Sequence, residues 1–180
     1  MKKYLLARLC AAALVLALAA SLAGCNLGGS GGTPNQWYVA PTGDDSNDCQ
    51  SATTPCRTIG AAVQKALLGD AIHLAPGTYV ENLSVNKSLT FIGAGQDQTF
   101  IDGSHGAASF TASVTIDGSG ANGLSVTFEN LAIVHGTAHA GGGIHAGDTG
   151  LTLMNVMISD NTWVDSGLPN QYGVTVSVAR

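Results

Sequence analysis

Two stretches of this chain, 25 residues apart, carry nearly the same pattern: Val126-Thr-Phe-Glu-Asn-Leu-Ala-Ile133 and Leu151-Thr-Leu-Met-Asn-Val-Met-Ile158. Thr127 matches Thr152, Asn130 matches Asn155, and Thr137 matches Thr162 at the same offset. A fixed period in the twenties is the mark of a solenoid, whose units bury an apolar face only by stacking on neighbours. Within each unit the apolar alternation changes parity around the asparagine. A continuous strand keeps strict period two, so the shift predicts two strands meeting at a corner. Asparagine suits a corner because it tolerates left-handed backbone angles and can bond to its own main chain. If successive rungs sit about 4.8 Å apart, Asn130 and Asn155 stack and can bond as an amide ladder. Two ordinary turn asparagines are the alternative.

The rest of the chain agrees with many short strands. Ile72 and Leu74, Leu83 and Val85, Leu89 and Phe91, and Val114 and Ile116 alternate inward within pieces separated by Gly, Asn and Asp. One helix is expected, from Thr58 to Gly69. Thr58 can cap it, Ile59, Ala62, Val63, Ala66 and Leu67 fall on one face, and Gly69 ends it. Such a helix, with the strand-like run Trp37–Ala40, would close the N-terminal end of the solenoid. The domain reading is therefore a signal over 1–24, a Gly/Ser tether over 25–36, a cap over 37–70 and rungs over 71–180.

The N-terminus reads as an export signal: a basic head with Lys2, Lys3 and Arg8, then an apolar run from Leu9 to Ala20. Its last residues, Leu22-Ala-Gly-Cys25, resemble the lipobox of bacterial lipoproteins. The resemblance implies cleavage before Cys25 and a lipid anchor on that residue, hence a membrane partner. An ordinary signal cut near Ala23 is the alternative. Without residues 1–24, four cations face twelve acids, a net charge of −8. That balance argues against nucleic acid or anionic lipid as a partner. Cys49 and Cys56, around the turn Thr53-Thr-Pro55, read as a local disulfide in an exported protein.

Tyr38-Val-Ala-Pro-Thr-Gly43, Thr54-Pro-Cys-Arg-Thr-Ile59, Gly69-Asp-Ala-Ile-His-Leu-Ala-Pro-Gly-Thr-Tyr79 and Leu89-Thr-Phe-Ile-Gly-Ala-Gly95 resemble the N-terminal region of bacterial right-handed parallel β-helix proteins. These are pectin-lyase-like surface or secreted proteins with repeats similar to those of polymorphic outer membrane proteins. The resemblance covers roughly residues 37–162. It implies an all-β, single-stranded right-handed parallel β-helix, and a place on a bacterial cell surface. The expected rung after Asn161-Thr162 is irregular, so the chain is read as an N-terminal fragment.

That architecture hosts both enzymes and binding proteins. The resemblance implies that a lyase would need a basic residue to take a proton, with carboxylates holding calcium. No Lys or Arg lies between Lys87 and Arg180. Asp102, Asp117, Asp148 and Asp160 are scattered in turns, unlike the clustered aspartates of hydrolases. No catalytic residue is assigned. Asp44, Ser46 and Asp48 alternate in a loop that could wrap calcium, although an Asx-rich turn explains them equally well. His135, His139 and His145 read as loop histidines. The expected function is lipid-anchored, non-catalytic binding or adhesion, with a polysaccharide as the candidate partner. A fragment of a polysaccharide lyase or hydrolase is the alternative.

Overall fold

The computed structural model describes residues 33–105, 111–118, 123–138, 142–147 and 149–163. The expected signal, Cys25, most of the tether, His139, Asp148 and the strand-like run 174–178 lie outside the described residues.

Short alternating segments form the strands. They are β1 (Gln36–Val39), β2 (Ala71–Leu74), β3 (Gly77–Val80), β4 (Leu83–Val85), β5 (Leu89–Ile92), β6 (Thr99–Asp102) and β7 (Val114–Asp117). Two strands of 11 residues follow the repeat, β8 (Leu124–Val134) and β11 (Thr149–Ser159). Between and after them come β9 (Thr137–Ala138), β10 (Ile144–Gly147) and β12 (Thr162–Trp163). One helix, α1 (Ile59–Lys65), lies between β1 and β2.

Every pairing between the described strands is parallel. The largest sheet runs β1-β2-β5-β8-β6-β3, with β11 added on β8; a second runs β10-β7-β4, and β12 pairs β9. Parallel neighbours cannot be joined by a tight hairpin. Here other strands intervene before the chain returns: β6, at a different place in the same sheet, and β7, in the second sheet, lie between β5 and β8, and β9 and β10, in the two smaller sheets, lie between β8 and β11. The fold is thus strand-rich, with parallel sheets.

Register turns sequence alternation into columns. Trp37, Ile72, Phe91, Phe128 and Leu153 are successive partners on one inward column. Tyr79, Ile101, Ile133 and Ile158 form another. Leu83, Val114 and Ile144 line the second sheet. Buried residues from both sheets join in a single apolar cluster. At its centre the Phe91 and Phe128 rings stack 4.8 Å apart, each with no exposed surface. Removing either ring would cost about 3–5 kcal/mol.

The long strands bend where parity shifts. Asn130 and Asn155 have φ of 54° and 52°, and Asn155 Nδ2 donates to Asn130 Oδ1 at 2.9 Å. A second pair of left-handed residues occurs one strand segment later, His135 at φ 58° and Asp160 at φ 55°. The repeat places these two at the same offset, but neither residue type signals a corner as asparagine does.

The helix is shorter than the expected span from Thr58 to Gly69. Thr58 Oγ1 does accept from Ala61 N, but Ala66 already has ψ 149°. Two side chains account for the early end. Lys87 Nζ donates to Val63 O and Ala66 O at 3.0 and 2.9 Å, and Asp70 Oδ2 accepts from Leu67 N at 2.7 Å. Leu67 is therefore drawn off the apolar face and is 65% exposed.

Candidate functional site: a groove beside the disulfide loop

The alternation that buries Trp37 and Val39 turns Tyr38 outward; that which buries Ile72 and Leu74 turns His73 outward. Tyr38 and His73 are register partners, and their rings stack with centroids 5.2 Å apart. His73 Nε2 lies 2.6 Å from Gln36 Oε1, which orients the imidazole along the strand face. Ile92, partner of His73 on β5, continues the outward row.

A loop from the cap builds the wall facing this row. Cys49 and Cys56 form a disulfide with Cα atoms 5.0 Å apart. The loop between them is bonded to β1: Tyr38 N donates to Cys49 O, Cys56 N to Tyr38 O, and Ala40 N to Cys56 O, at 2.8–2.9 Å. Gly43 permits the fit, since a Cβ there would collide with the Cys56 carbonyl. A groove of about 260 Å³ results, lined among others by Tyr38, His73, Ile92, Ala52, Pro55 and Pro76. It is mostly apolar, with an imidazole and a phenol at one side, the usual composition of a small-molecule site.

Among the described residues no Asp, Glu, Lys or Arg lines this groove, and the described cations are engaged elsewhere. Arg57 Nε donates to Gly43 O at 3.0 Å. Lys65 Nζ donates to Asp45 O at 2.7 Å and Asn47 O at 2.6 Å. Lys87, as noted, closes the end of α1, where a cation is favoured by the helix dipole.

The carboxylates of the cap also serve the main chain. Asp44 Oδ1 accepts from Ser46 N at 2.9 Å and Ser46 Oγ at 2.8 Å. Asp48 Oδ1 accepts from Gln50 N at 3.2 Å and Thr54 Oγ1 at 2.8 Å. Of the three residues expected to wrap calcium, Asp44 and Ser46 thus share one local turn and Asp48 belongs to another, and the carbonyls of Asp45 and Asn47 between them face the Lys65 ammonium. Among the described residues no group of three or more His, Cys, Asp or Glu is arranged to hold a metal ion.

Three acids that the sequence did not single out hold the cap together. Asp45 accepts from Arg57 N, Thr58 N and Thr58 Oγ1 at 2.8–3.0 Å. Asp70, 3% exposed, accepts from Asn35 N, Asn35 Nδ2, Trp37 Nε1 and Leu67 N. Burial pushes the Asp70 carboxyl up, but the bonds from Trp37, Leu67 and Asn35 outweigh it and hold the group below its ordinary value. Glu81 accepts from Ile59 N at 2.7 Å and Gly60 N at 2.9 Å. For Glu81 burial wins over those two bonds, and its carboxyl is pushed up.

Of the scattered aspartates, Asp102 has a partner that spacing did not reveal. Its Oδ2 lies 3.1 Å from His135 Nδ1, and its Oδ1 accepts from Ser104 N at 2.9 Å. Pairing of Asp102 with Val134 across β6 and β8 sets His135 beside it. Burial raises the Asp102 carboxyl, and the bonds from Ser104 and His135 more than offset this. The structure does not bring Asp102 and His135 to the groove.

No family model matches the chain. It is 32% identical over 146 residues to the metabotropic glutamate receptor-like protein P of Dictyostelium discoideum, an alignment covering 74% of this chain and 10% of that protein. The chain therefore spans about a tenth of the relative's length. This finding overturns the resemblance to bacterial β-helix lipoproteins and polymorphic outer membrane repeats, because the similarity found leads to a eukaryotic receptor-like protein. The motifs behind that resemblance, such as Gly69-Asp-Ala-Ile-His-Leu74 and the Gly-rich turns, are what short parallel strands and their corners require. They report local geometry more than ancestry.

Proposed function

We propose that this chain is an exported, non-catalytic recognition domain that takes a neutral ligand, a glycan segment, in the groove beside the disulfide loop. The observation that carries the reading is the fate of the cations. Arg57, Lys65 and Lys87 each donate to main-chain carbonyls. None of them is positioned to abstract a proton or to neutralise an acidic polymer. A ligand with an apolar ring face and hydroxyl edges suits a groove of Tyr38, His73 and Ile92 beside the amide of Gln36.

In this proposal the architecture is a right-handed parallel β-helix. Support comes from the uniformly parallel pairing, the return to the same sheet after visits to others, and the pairing of β11 with β8 at the repeat offset. Export is supported by the apolar run near the N-terminus and by the disulfide, since disulfides persist in oxidising compartments. A relative named for its likeness to a receptor supports recognition rather than catalysis. Glutamate itself is not the ligand proposed, because its two carboxylates would meet no cation in the groove.

The test is titration of the purified chain with a panel of neutral oligosaccharides and, in parallel, a uronate polymer. Saturable binding of a neutral glycan that Tyr38→Ala weakens tenfold or more is the expected result. Turnover of the uronan, or binding indifferent to Tyr38→Ala, would defeat it. Intact mass of the exported protein shows where the leader is cut and whether Cys25 carries lipid.

A further inference from the structure

We propose that the Cys49–Cys56 disulfide is a redox-responsive clasp, in which the Lys65 ammonium receives Cys49 as a thiolate when the bond is reduced. Lys65 Nζ lies 3.3 Å from Cys49 Sγ and 3.6 Å from Cys56 Sγ. Its bonds to Asp45 O and Asn47 O fix it there, so the charge cannot drift into solvent. A cation beside a sulfur favours the thiolate and makes that sulfur the better leaving group.

Two influences oppose it. Both sulfurs are buried, which disfavours a thiolate, and Asp44, Asp45 and Asp48 lie on the same loop. These carboxylates, however, accept from Ser46, from Arg57 and Thr58, and from Gln50 and Thr54 respectively. The ammonium is the charged group in contact with sulfur, and Arg57, bonded to Gly43 O on the same loop, adds a second positive charge. Helix α1 contributes Lys65, and neighbouring β1 contributes no acid.

The step requires a small dithiol as reductant. Its thiolate attacks Cys56 Sγ, the S–S bond breaks, and Cys49 departs as the thiolate paired with Lys65. The reductant's second thiol, deprotonated, then attacks its own sulfur in the mixed disulfide and releases Cys56. The dithiol is oxidised to its cyclic disulfide, two electrons pass to the cysteines, and its two protons go to Cys56 and to solvent or Cys49. Because the sulfurs are covered, reduction follows an opening of the exposed 50–55 segment. Afterwards the loop is held to β1 only by its main-chain bonds, and the wall formed by Ala52 and Pro55 loosens. That effect on the groove rests on the binding role proposed above; the clasp does not.

The full chain is equilibrated in dithiothreitol buffers, and the alkylated 49–56 peptide is quantified by mass, separately from Cys10 and Cys25. In Lys65→Met the exchange constant is expected to shift at least tenfold toward the oxidised form, about 30 mV. An unchanged or opposite constant overturns the proposal. Lys65→Met also loses two carbonyl bonds, so a measurement on the unmodified chain stands beside it. The alkylation rate of reduced Cys49 should have a pH midpoint below the ordinary thiol value of about 8.5. A midpoint at or above that value overturns the clasp, whatever the groove binds.

Discussion

Strands β8 and β11 share a sequence pattern, yet their burial differs. Val126, Phe128, Leu131 and Ile133 of β8 have no exposed surface, whereas Leu151, Leu153, Val156 and Ile158 of β11 are only partly buried and Met154 is 48% exposed. The difference lies in neighbours. β8 is flanked by β5 and β6 on one side and β11 on the other, while among the described residues β11 pairs β8 alone. In a stacked parallel fold, an apolar residue is buried by the strands above and below it as much as by its own alternation. At the other extreme of the same sheet, β1 has its outer edge closed by the disulfide loop and α1. That closure manages a strand edge that would otherwise be open to pairing.

The first way to break this comparison is to cut one inward column at two heights. Phe128→Ala should cost about 3–5 kcal/mol in urea unfolding, and Leu153→Ala, its register partner, about 2 kcal/mol or less. Equal losses would mean that β11 is covered as fully as β8. The next test concerns the closed end. Asp70→Ala leaves the buried indole N–H of Trp37 without its acceptor, together with the partly buried donors of Leu67 and Asn35, and should cost about 1–3 kcal/mol.

These acids also give the cap a pH signature. The Asp70 carboxyl is held below its ordinary value, so its contribution is present above the unfolded value near pH 4 and is lost as pH falls through the lower folded value. Glu81 has the opposite sign. Its raised carboxyl stabilises the fold below the unfolded value, and that contribution is lost as pH rises through the folded one. Asp70→Asn should therefore flatten the acid side of a stability–pH curve. Glu81→Gln should remove the decline above about pH 4.

Smaller effects sharpen the corners and the cap. Asn155→Ala loses the bond to Asn130 and leaves at positive φ a residue with no amide to bond locally, at a cost of about 1–2 kcal/mol. Asn155→Gly keeps the backbone freedom and should lose only a few tenths. A shallow loss for both would show that β11 bends without help from the corner. Lys87→Met removes the cation closing α1 and should cost about 0.3–1 kcal/mol by thermal unfolding, reduced in high salt.

Local features were legible because their causes are local. Inward alternation, the asparagine corners, the helix N-cap at Thr58 and the proximity of Cys49 to Cys56 all depend on a few consecutive residues. The helix stops short of its apolar pattern because Lys87 takes the carbonyls of Val63 and Ala66 and Asp70 takes the N–H of Leu67, and both side chains lie beyond the helix. The groove was half legible: the burial of Ile72 and Leu74 already implied that His73 faces outward. Its stacking on Tyr38 depends on pairing between β1 and β2, which no repeat signals. The Asp102–His135 pair was hidden for the same reason, since β6 and β8 pair directly although β7 and two loops separate them along the chain.

By itself the sequence determined a strand-rich chain with left-handed corners at Asn130 and Asn155 and one cap helix opened by Thr58. It also set a 25-residue offset that β8 and β11 follow residue for residue. Only the tertiary structure decided which outward side chains share a groove, where each cation spends its charge and which apolar rows are covered. Backbone angles and period-two alternation are properties of neighbouring residues. Register between distant strands depends on the loops that separate them, and those loops carry no period of their own.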